Sequence, residues 1–360
     1  MMELDRVIKH LKAEKRMVEP DQDAVVALFR DEDALGISLL YYEIYGDSFP
    51  VEHVYDPDQV KQRNHTDGQH TLVARTTKGD IVGMAGLFCH APNQNVYEAG
   101  QLMLMKSYRH TRVAAKINQS ILEKLPETLG VSAIFVEAVC NHPVSQAMAH
   151  KQGLHATGLE IECMPARVYS KEGGVVRNVS LLLMFKVFKD NGASVYLPQP
   201  YAEFMTRLYG QLGLERKNLA GEALAGTTDS DDFLLPNAGI ARITIKKAGN
   251  DFNRVIQDLE ARAGKQSLVQ VYLNLGDHAC PRAVDLLREK GYFWGGLLPL
   301  WFQSDGLIMQ KLPGEPDWEG LHLHNKEAEA MLGFLRSDYG TVTGPGRPGK
   351  AEEMVTALKF

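Results

Sequence analysis

The chain has 360 residues, more than one core of ordinary size accommodates, so two domains and a tail are the starting expectation. Hydrophobic residues at 44% and charged residues at 23% are an ordinary globular mixture, which excludes wholesale disorder. A formal net charge of −6 gives no general attraction to phosphate backbones or anionic lipid, so neither nucleic acid nor membrane is expected as a partner.

The opening MMELDRVIKHLKAEKRM carries charges at helical spacing and lacks a signal-peptide core, and no later stretch approaches the ~18 apolar residues of a membrane span. A cytoplasmic protein is expected. From residue 20 to 45 apolar residues recur at three and four (Val25, Val26, Leu28, Phe29, then Ile37, Leu39, Leu40), which predicts two amphipathic helices. Three strands follow at 71–75 (TLVAR), 81–88 (IVGMAGLF) and 98–105 (EAGQLMLM), the first two joined by a KGD turn. Residues 114–125 place Ile117, Ile121, Leu122 and Leu125 on one helical face, and 131–139 (VSAIFVEAV) reads as a buried strand, so a parallel βαβ unit is implied. A helix over 144–152 ends at Gly153, and strands at 159–164 and 180–188 complete a first domain over 1–190.

The turn-rich KDNGASVYLPQP marks the seam, near Asp190. A second domain over 191–312 reads as a helix at 201–212, a polar loop at 225–232 (AGTTDSDD), a strand at 240–245, a helix at 251–263 and a strand at 268–275. The tail over 313–360 holds one helix (HNKEAEAMLGFLRSDYG) and a flexible TVTGPGRPGK linker. The aromatic cluster Tyr292, Phe293, Trp294, Trp301 and Phe302 reads as core or interface before it reads as a ligand cage.

The two halves share a spacing. Pro143, Gly153 and Gly158 recur as Pro281, Gly291 and Gly296, each set spanning a helix closed by glycine and a following apolar stretch. This predicts a tandem repeat.

Four cysteines (Cys89, Cys140, Cys163, Cys280) without a CxxC pair indicate reduced thiols, and His322 and His324 form an i, i+2 pair with no third ligand, so no metal is expected. The chemistry sits at LMLMKSYRHTRVAA, residues 102–115, where a strand passes through a loop into a helix N-terminus. Backbone N–H groups there point outward with the positive end of the helix dipole behind them, which suits a diphosphate.

This junction resembles the acetyl-CoA site of the GNAT (Gcn5-related N-acetyltransferase) superfamily, whose motif is Arg or Gln, two residues, Gly, any residue, Gly or Ala. Arg109, Arg112 and Ala114 fill those slots, with Arg112 in place of the central glycine and Lys106 where proline is often found. A second signature, an asparagine, a helix and a glycine, matches at Asn141 and Gly153, with Ala149 in the slot of the tyrosine that protonates the leaving thiolate. The resemblance spans residues 18–188. It implies an α/β fold with a GNAT-type mixed sheet flanked by helices, followed by a smaller, degenerate GNAT-like domain without its own basic glycine-rich loop.

It also implies an acyl-CoA-dependent N-acyltransferase that takes acetyl-CoA or another acyl-CoA and modifies a small-molecule or protein amine. The cofactor would be held by Leu104, Met105, Arg109, His110, Thr111, Arg112, Val113, Ala114, Ala115 and Asn141. An amine must lose a proton before it attacks a thioester, and Glu98, at the start of its strand, is the first candidate base, with Glu137 the second. His142 is a turn residue before Pro143. The alternatives are a non-catalytic CoA-binding regulatory module and a protein-interaction scaffold that uses the aromatic-rich second half.

Overall fold

A computed structural model describes all residues except 1, 15, 16, 21, 48, 50, 67, 110, 167–176, 266 and 345–360. The chain divides into two compact units: the described residues up to His90 with Gln94–Phe135 and Ala166, and Ala91–Asn93, Val136–Pro165 and the described residues from Arg177 onward.

In the first unit α1 (Met2–Glu14) precedes β1 (Ala24–Leu28), α2 (Ala34–Tyr45) and α3 (Pro57–Asn64). The helix expected over residues 25–29 is therefore a strand. Its β-branched Val25 and Val26 favour extended backbone, and its N–H and C=O groups are taken up by antiparallel pairing with β2 (Gln69–Thr76), Ala24 against Thr76 and Leu28 against Leu72. α3 starts as its sequence dictates, with Asp56 accepting the Asp58 N–H at the N-cap and Pro57 in the first turn.

β2 turns through Gly79, at φ 87°, into β3 (Ile81–Phe88), whose eight residues are all buried. β4 (Val96–Leu104) pairs antiparallel with β3 and parallel with β5 (Ala133–Val139), giving the order β1-β2-β3-β4-β5 and the expected βαβ unit. Between β4 and β5 the chain forms α4 (Arg112–Gln119), a π-turn at Ser120–Lys124 and α5 (Leu125–Leu129). The single helix expected over 114–125 is interrupted because Pro126 has no N–H and its ring crowds the carbonyl of Leu122; the wider turn accommodates both. Leu11, Ile37, Leu40, Tyr41, Val73 and Met84 form the core between the helices and the sheet.

In the second unit β5 leads to α6 (Val144–Lys151), β6 (His155–Met164), β7 (Val179–Val187) and α7 (Ala202–Leu212). There follow β8 (Asp229–Leu235), β9 (Ile240–Lys247), α8 (Phe252–Ala263), β10 (Leu268–Asn274), α9 (Cys280–Glu289), β11 (Phe293–Leu298), β12 (Gly306–Lys311) and α10 (Lys326–Thr343). The strand order is β5-β7-β6-β11-β12-β10-β9-β8. Part of the polar loop expected at 225–232 is the outer strand β8. Its aspartates are tolerated because an outer strand faces solvent, and Asp231 and Asp232 pair with Lys246 and Arg262. The TVTGPGRPGK segment begins inside α10, and its remainder lies outside the described residues.

The Pro/Gly spacing falls on two runs of elements with a similar order. Residues 229–311 run strand, strand, helix, strand, helix, strand, strand, as residues 81–187 do, with a parallel central pair in each (β4 with β5, β9 with β10). Gly153 and Gly291 both adopt positive φ, 79° and 87°, after α6 and α9, and Gly158 and Gly296 are cross-strand partners where β6 meets β11. Tyr292, Phe293, Trp294, Trp301 and Phe302 are all buried, so these rings are core. Asp338 of α10 accepts hydrogen bonds from the Trp294 N–H at 2.7 Å and from Tyr201 Oη at 2.9 Å, and pairs with Arg288, which fixes the C-terminal helix to this core.

Candidate active site

β4 carries the site. Its register against β3 shifts between Gly86–Gly100 and Met84–Met103, so Gln101 and Leu102 stand opposite Ala85 alone, a β-bulge. Gln101 takes φ 55°, a left-handed conformation that costs a residue with a Cβ about 1 kcal/mol. What holds it is Tyr41 of α2, whose hydroxyl donates to Gln101 Oε1 at 2.5 Å. Burial, with Tyr45, Tyr55 and Glu98 nearby, raises the Tyr41 pKa well above its ordinary value, so the phenol stays a proton donor.

Glu98 lies three residues before the bulge, pairing in the ladder with Phe88 on β3 and Phe135 on β5. Its carboxylate folds over Gly100, where a Cβ would come within 2.5 Å of Oε1, and Oε2 stands 3.3 Å from Nε2 of His90. The His90 ring stacks on Phe88 at 6.1 Å with 6° between planes. A half-buried carboxylate is thus coupled to an exposed imidazole at the end of β3, a pair able to accept and pass on a proton.

Beyond Leu104 the chain makes a 3-10 turn at Lys106–Tyr108 and enters α4. The buried Tyr108 anchors this loop: its hydroxyl donates to the Glu19 carbonyl at 3.0 Å and accepts the Gln22 N–H at 3.2 Å. Thr111 caps the helix, its Oγ1 accepting the Val113 N–H at 3.2 Å while donating to the Tyr108 carbonyl at 2.8 Å. One N–H expected to face a ligand is therefore satisfied by the chain itself. Arg109 Nε donates to the Leu104 carbonyl at 3.3 Å, which lays the side chain along the loop, and Lys106, Arg109 and Arg112 are exposed. Met105 is half-buried, Ala114 is half-buried and Ala115 is exposed; His110 lies outside the described residues.

Glu137 and Asn141 belong to the second unit. Glu137 lies within electrostatic reach of Arg242, Tyr272 and Cys163, and its charge helps raise the pKa of Arg242. Glu160, 1% exposed, pairs with that arginine at 3.3 Å and accepts from Gln270 Nε2 at 2.5 Å. Glu137 thus sits in the charge balance of a half-buried arginine, a setting for structural support. Asn141 Oδ1 is buried without a hydrogen-bond partner, so it is free to take one from a ligand. Ala149 is buried, and the His150 ring packs against those of His155 and His324 at 6.1 and 5.8 Å. Among the described residues no group of three His, Cys, Asp or Glu side chains is placed to hold a metal, and no helix is long and apolar enough to cross a membrane.

The corresponding junction in the second unit, between β9 and α8, is closed. β9 and β10 remain paired over six registers, Ile240–Leu268 to Ile245–Leu273, whereas β4 and β5 pair over three. The Ala248 N–H is taken by the Asp277 carboxylate at 2.7 Å, and the Gly249 N–H by Thr228 Oγ1 at 3.1 Å. A carboxylate and a hydroxyl already occupy two of the donors that a diphosphate would need. One acyl-CoA per chain is the expected stoichiometry in a calorimetric titration, and a value of two would show that this loop opens.

A known family matches part of the chain. The sequence model of the Acetyltransferase (GNAT) family matches residues 38–154, from α2 to the glycine-closed end of α6, and this stretch is a GNAT domain. Similar solved structures include spermidine/spermine N-acetyltransferase SpeG from Vibrio cholerae, at 13% identity over 46% of this chain and 92% of that one, TM-score 0.36. Others are the ribosomal-protein-S5-alanine acetyltransferase from Vibrio fischeri (12%, 48% and 97%, TM-score 0.38) and an N-acetyltransferase from Staphylococcus aureus Mu50 (17%, 46% and 99%, TM-score 0.37). No curated protein matches the chain. The family match ends before the second half.

The sequence pointed to Glu98, Arg109 and the 104–115 junction as candidates; Tyr41, His90, Gln101 and Tyr108, which the structure places beside them, carried no expectation. The sequence does hold one signal, the pair Gly86 and Gly100, which face each other across the ladder where the bulge begins.

Proposed function

We propose that the GNAT domain is an acyl-CoA-dependent N-acyltransferase that uses acetyl-CoA or another acyl-CoA to modify an amine. The observation that carries this reading is the bulged β4, which sets a proton-accepting Glu98–His90 pair on the strand that runs into the cationic loop and the α4 N-terminus. The residues present in the first unit fit the cofactor: Lys106, Arg109 and Arg112 supply exposed positive charge at a helix N-terminus. Bound there, an acyl-CoA supplies the thioester whose acyl group is transferred. Glu98 takes the proton from the incoming ammonium, and His90 carries it to solvent. The bulge releases backbone N–H groups of Gln101 and Leu102 from the regular ladder to polarise the acyl carbonyl. The second half is, in this reading, a copy of the same βαβ plan that has lost its cofactor loop, supported by the repeated topology and by the Asp277 plug. The acceptor is an amine, and the whole acts in the cytoplasm.

A CoA-binding module without turnover is the second reading, favoured by Arg112 in the glycine slot and by the buried Ala149 in the tyrosine slot. The scaffold reading is disfavoured, because its aromatic contact surface is core. Thermal unfolding tests the proposal. Acetyl-CoA at about 100 times its Kd is expected to raise Tm by about 5–10 °C, and Arg109→Ala to remove that rise. Absence of any shift with acetyl-CoA, free CoA or a longer acyl-CoA rejects both CoA readings, whereas a shift without CoA release from a pooled amine panel selects the second.

A further inference from the structure

A small cavity lies in the first unit between α2, α3 and β2, bordered by Gln101 of the bulge. Its volume is ≈ 30 Å³. A water needs about 10–15 Å³ on this scale, so the space suits a group with two oxygens and nothing larger.

Its chemistry is one-sided. Among the described residues the lining includes one permanent cation, the exposed Arg63, and no carboxylate. His53, also in the wall, has its pKa lowered to about 4 by burial and by the Arg63 charge, so at neutral pH it contributes no charge of its own. Thr71 is 2% exposed and its Oγ1, in the same wall, is buried without a hydrogen-bond partner. Gln101 receives the Tyr41 hydroxyl on its amide oxygen, which leaves its amide N–H₂ as a donor. Arg63, an unpartnered hydroxyl and an amide-bearing side chain thus line a space of two-oxygen size.

The carboxylate of β4 is Glu98, whose charge reaches Tyr41 of the cavity wall. The surroundings of the cavity therefore carry a negative charge at Glu98 and a positive charge at Arg63. A polycation gains nothing at the Arg63 end, where its second charge would meet a like charge. A zwitterion is complementary at both ends.

The geometry points to an acceptor that carries a carboxylate beside its reactive amine, a free amino acid, with the carboxylate seated in the cavity against Arg63 and Thr71 and the amine presented to Glu98. This assignment rests on the acyltransferase reading for the role of the amine; the carboxylate site itself does not require it.

The test is a calorimetric titration of the full chain, in the presence of CoA, with L-amino acids in acidic, basic, aliphatic and aromatic pools, and separately with spermidine. At least one pool is expected to bind, and the methyl ester of its active member to bind about tenfold more weakly or worse. Arg63→Ala should weaken that binding by a similar factor, Thr71→Val by less, and Arg63→Lys should restore part of it. Unchanged melting temperatures confirm that the variants fold. Binding of spermidine with none by any amino-acid pool, no binding by any pool, or affinity indifferent to Arg63→Ala and to the methyl ester each overturns the proposal. The CoA titration run beforehand separates the two readings: if CoA fails to bind, the acyltransferase reading falls whether or not amino acids bind.

Discussion

Glu98→Gln is expected to lower kcat by about 100-fold or more while leaving the acetyl-CoA-dependent rise in Tm intact. Glutamine has the shape of glutamate and can still lie over Gly100 and hydrogen-bond to His90, whose Nε2 stands 3.3 Å from the carboxylate, so packing and ladder are preserved. What is lost is the ability to take a proton from an ammonium. The residues proposed to hold the cofactor lie on a different segment, whose loop is anchored through Tyr108 to Glu19 and Gln22, and the substitution touches none of those contacts. The effect should therefore fall on kcat and spare cofactor affinity. The assay is CoA release with the amine panel, wild type against variant. A kcat within about threefold of wild type removes Glu98 as the base and shifts the search to His90, which is exposed on the same pair.

The reach of sequence reasoning over this site follows the range of the interactions that build it. β3, β6 and α6 were legible because each is decided locally: an unbroken apolar run for β3, and a proline start and glycine stop for α6. β1 was misread because apolar spacing over five residues fits a helix face as well as a strand, and only the free edge of β2 decides between them. The bulge was invisible because the left-handed Gln101 is held by Tyr41, sixty positions earlier in the chain. The Asp277 carboxylate that closes the second loop is likewise twenty-nine positions from the N–H it occupies. Arg63, His53 and Thr71 carry no motif; they form a site only because α3 and β2 meet beside the bulge.

The Pro/Gly spacing was legible in the sequence, but its physical content lies in the contact between two of its glycines, where the largest stability effect is expected. Gly158 and Gly296 face each other where β6 meets β11, and a Cβ on Gly158 would stand 2.6 Å from Gly296 Cα and 2.7 Å from the Gly295 carbonyl. Both obstacles are backbone, so no rotamer change relieves the overlap and the strands must part. Parting them also strains Gln310 of β12, fully buried, which donates to the Leu159 carbonyl at 2.8 Å and accepts the Ile161 N–H at 3.0 Å. Overpacking and unsatisfied buried groups together put the cost of Gly158→Ala at about 3–5 kcal/mol, a fall in Tm of about 10 °C or more. Gly210→Ala in α7 makes the same chemical change where nothing lies within 4 Å of the new Cβ, and in a helix interior alanine is favoured by about 0.5–1 kcal/mol. Differential scanning calorimetry of the two variants should show opposite signs. Two small shifts of like size would mean that β6 and β11 have room to spare, and that the repeated glycine marks ancestry without close contact.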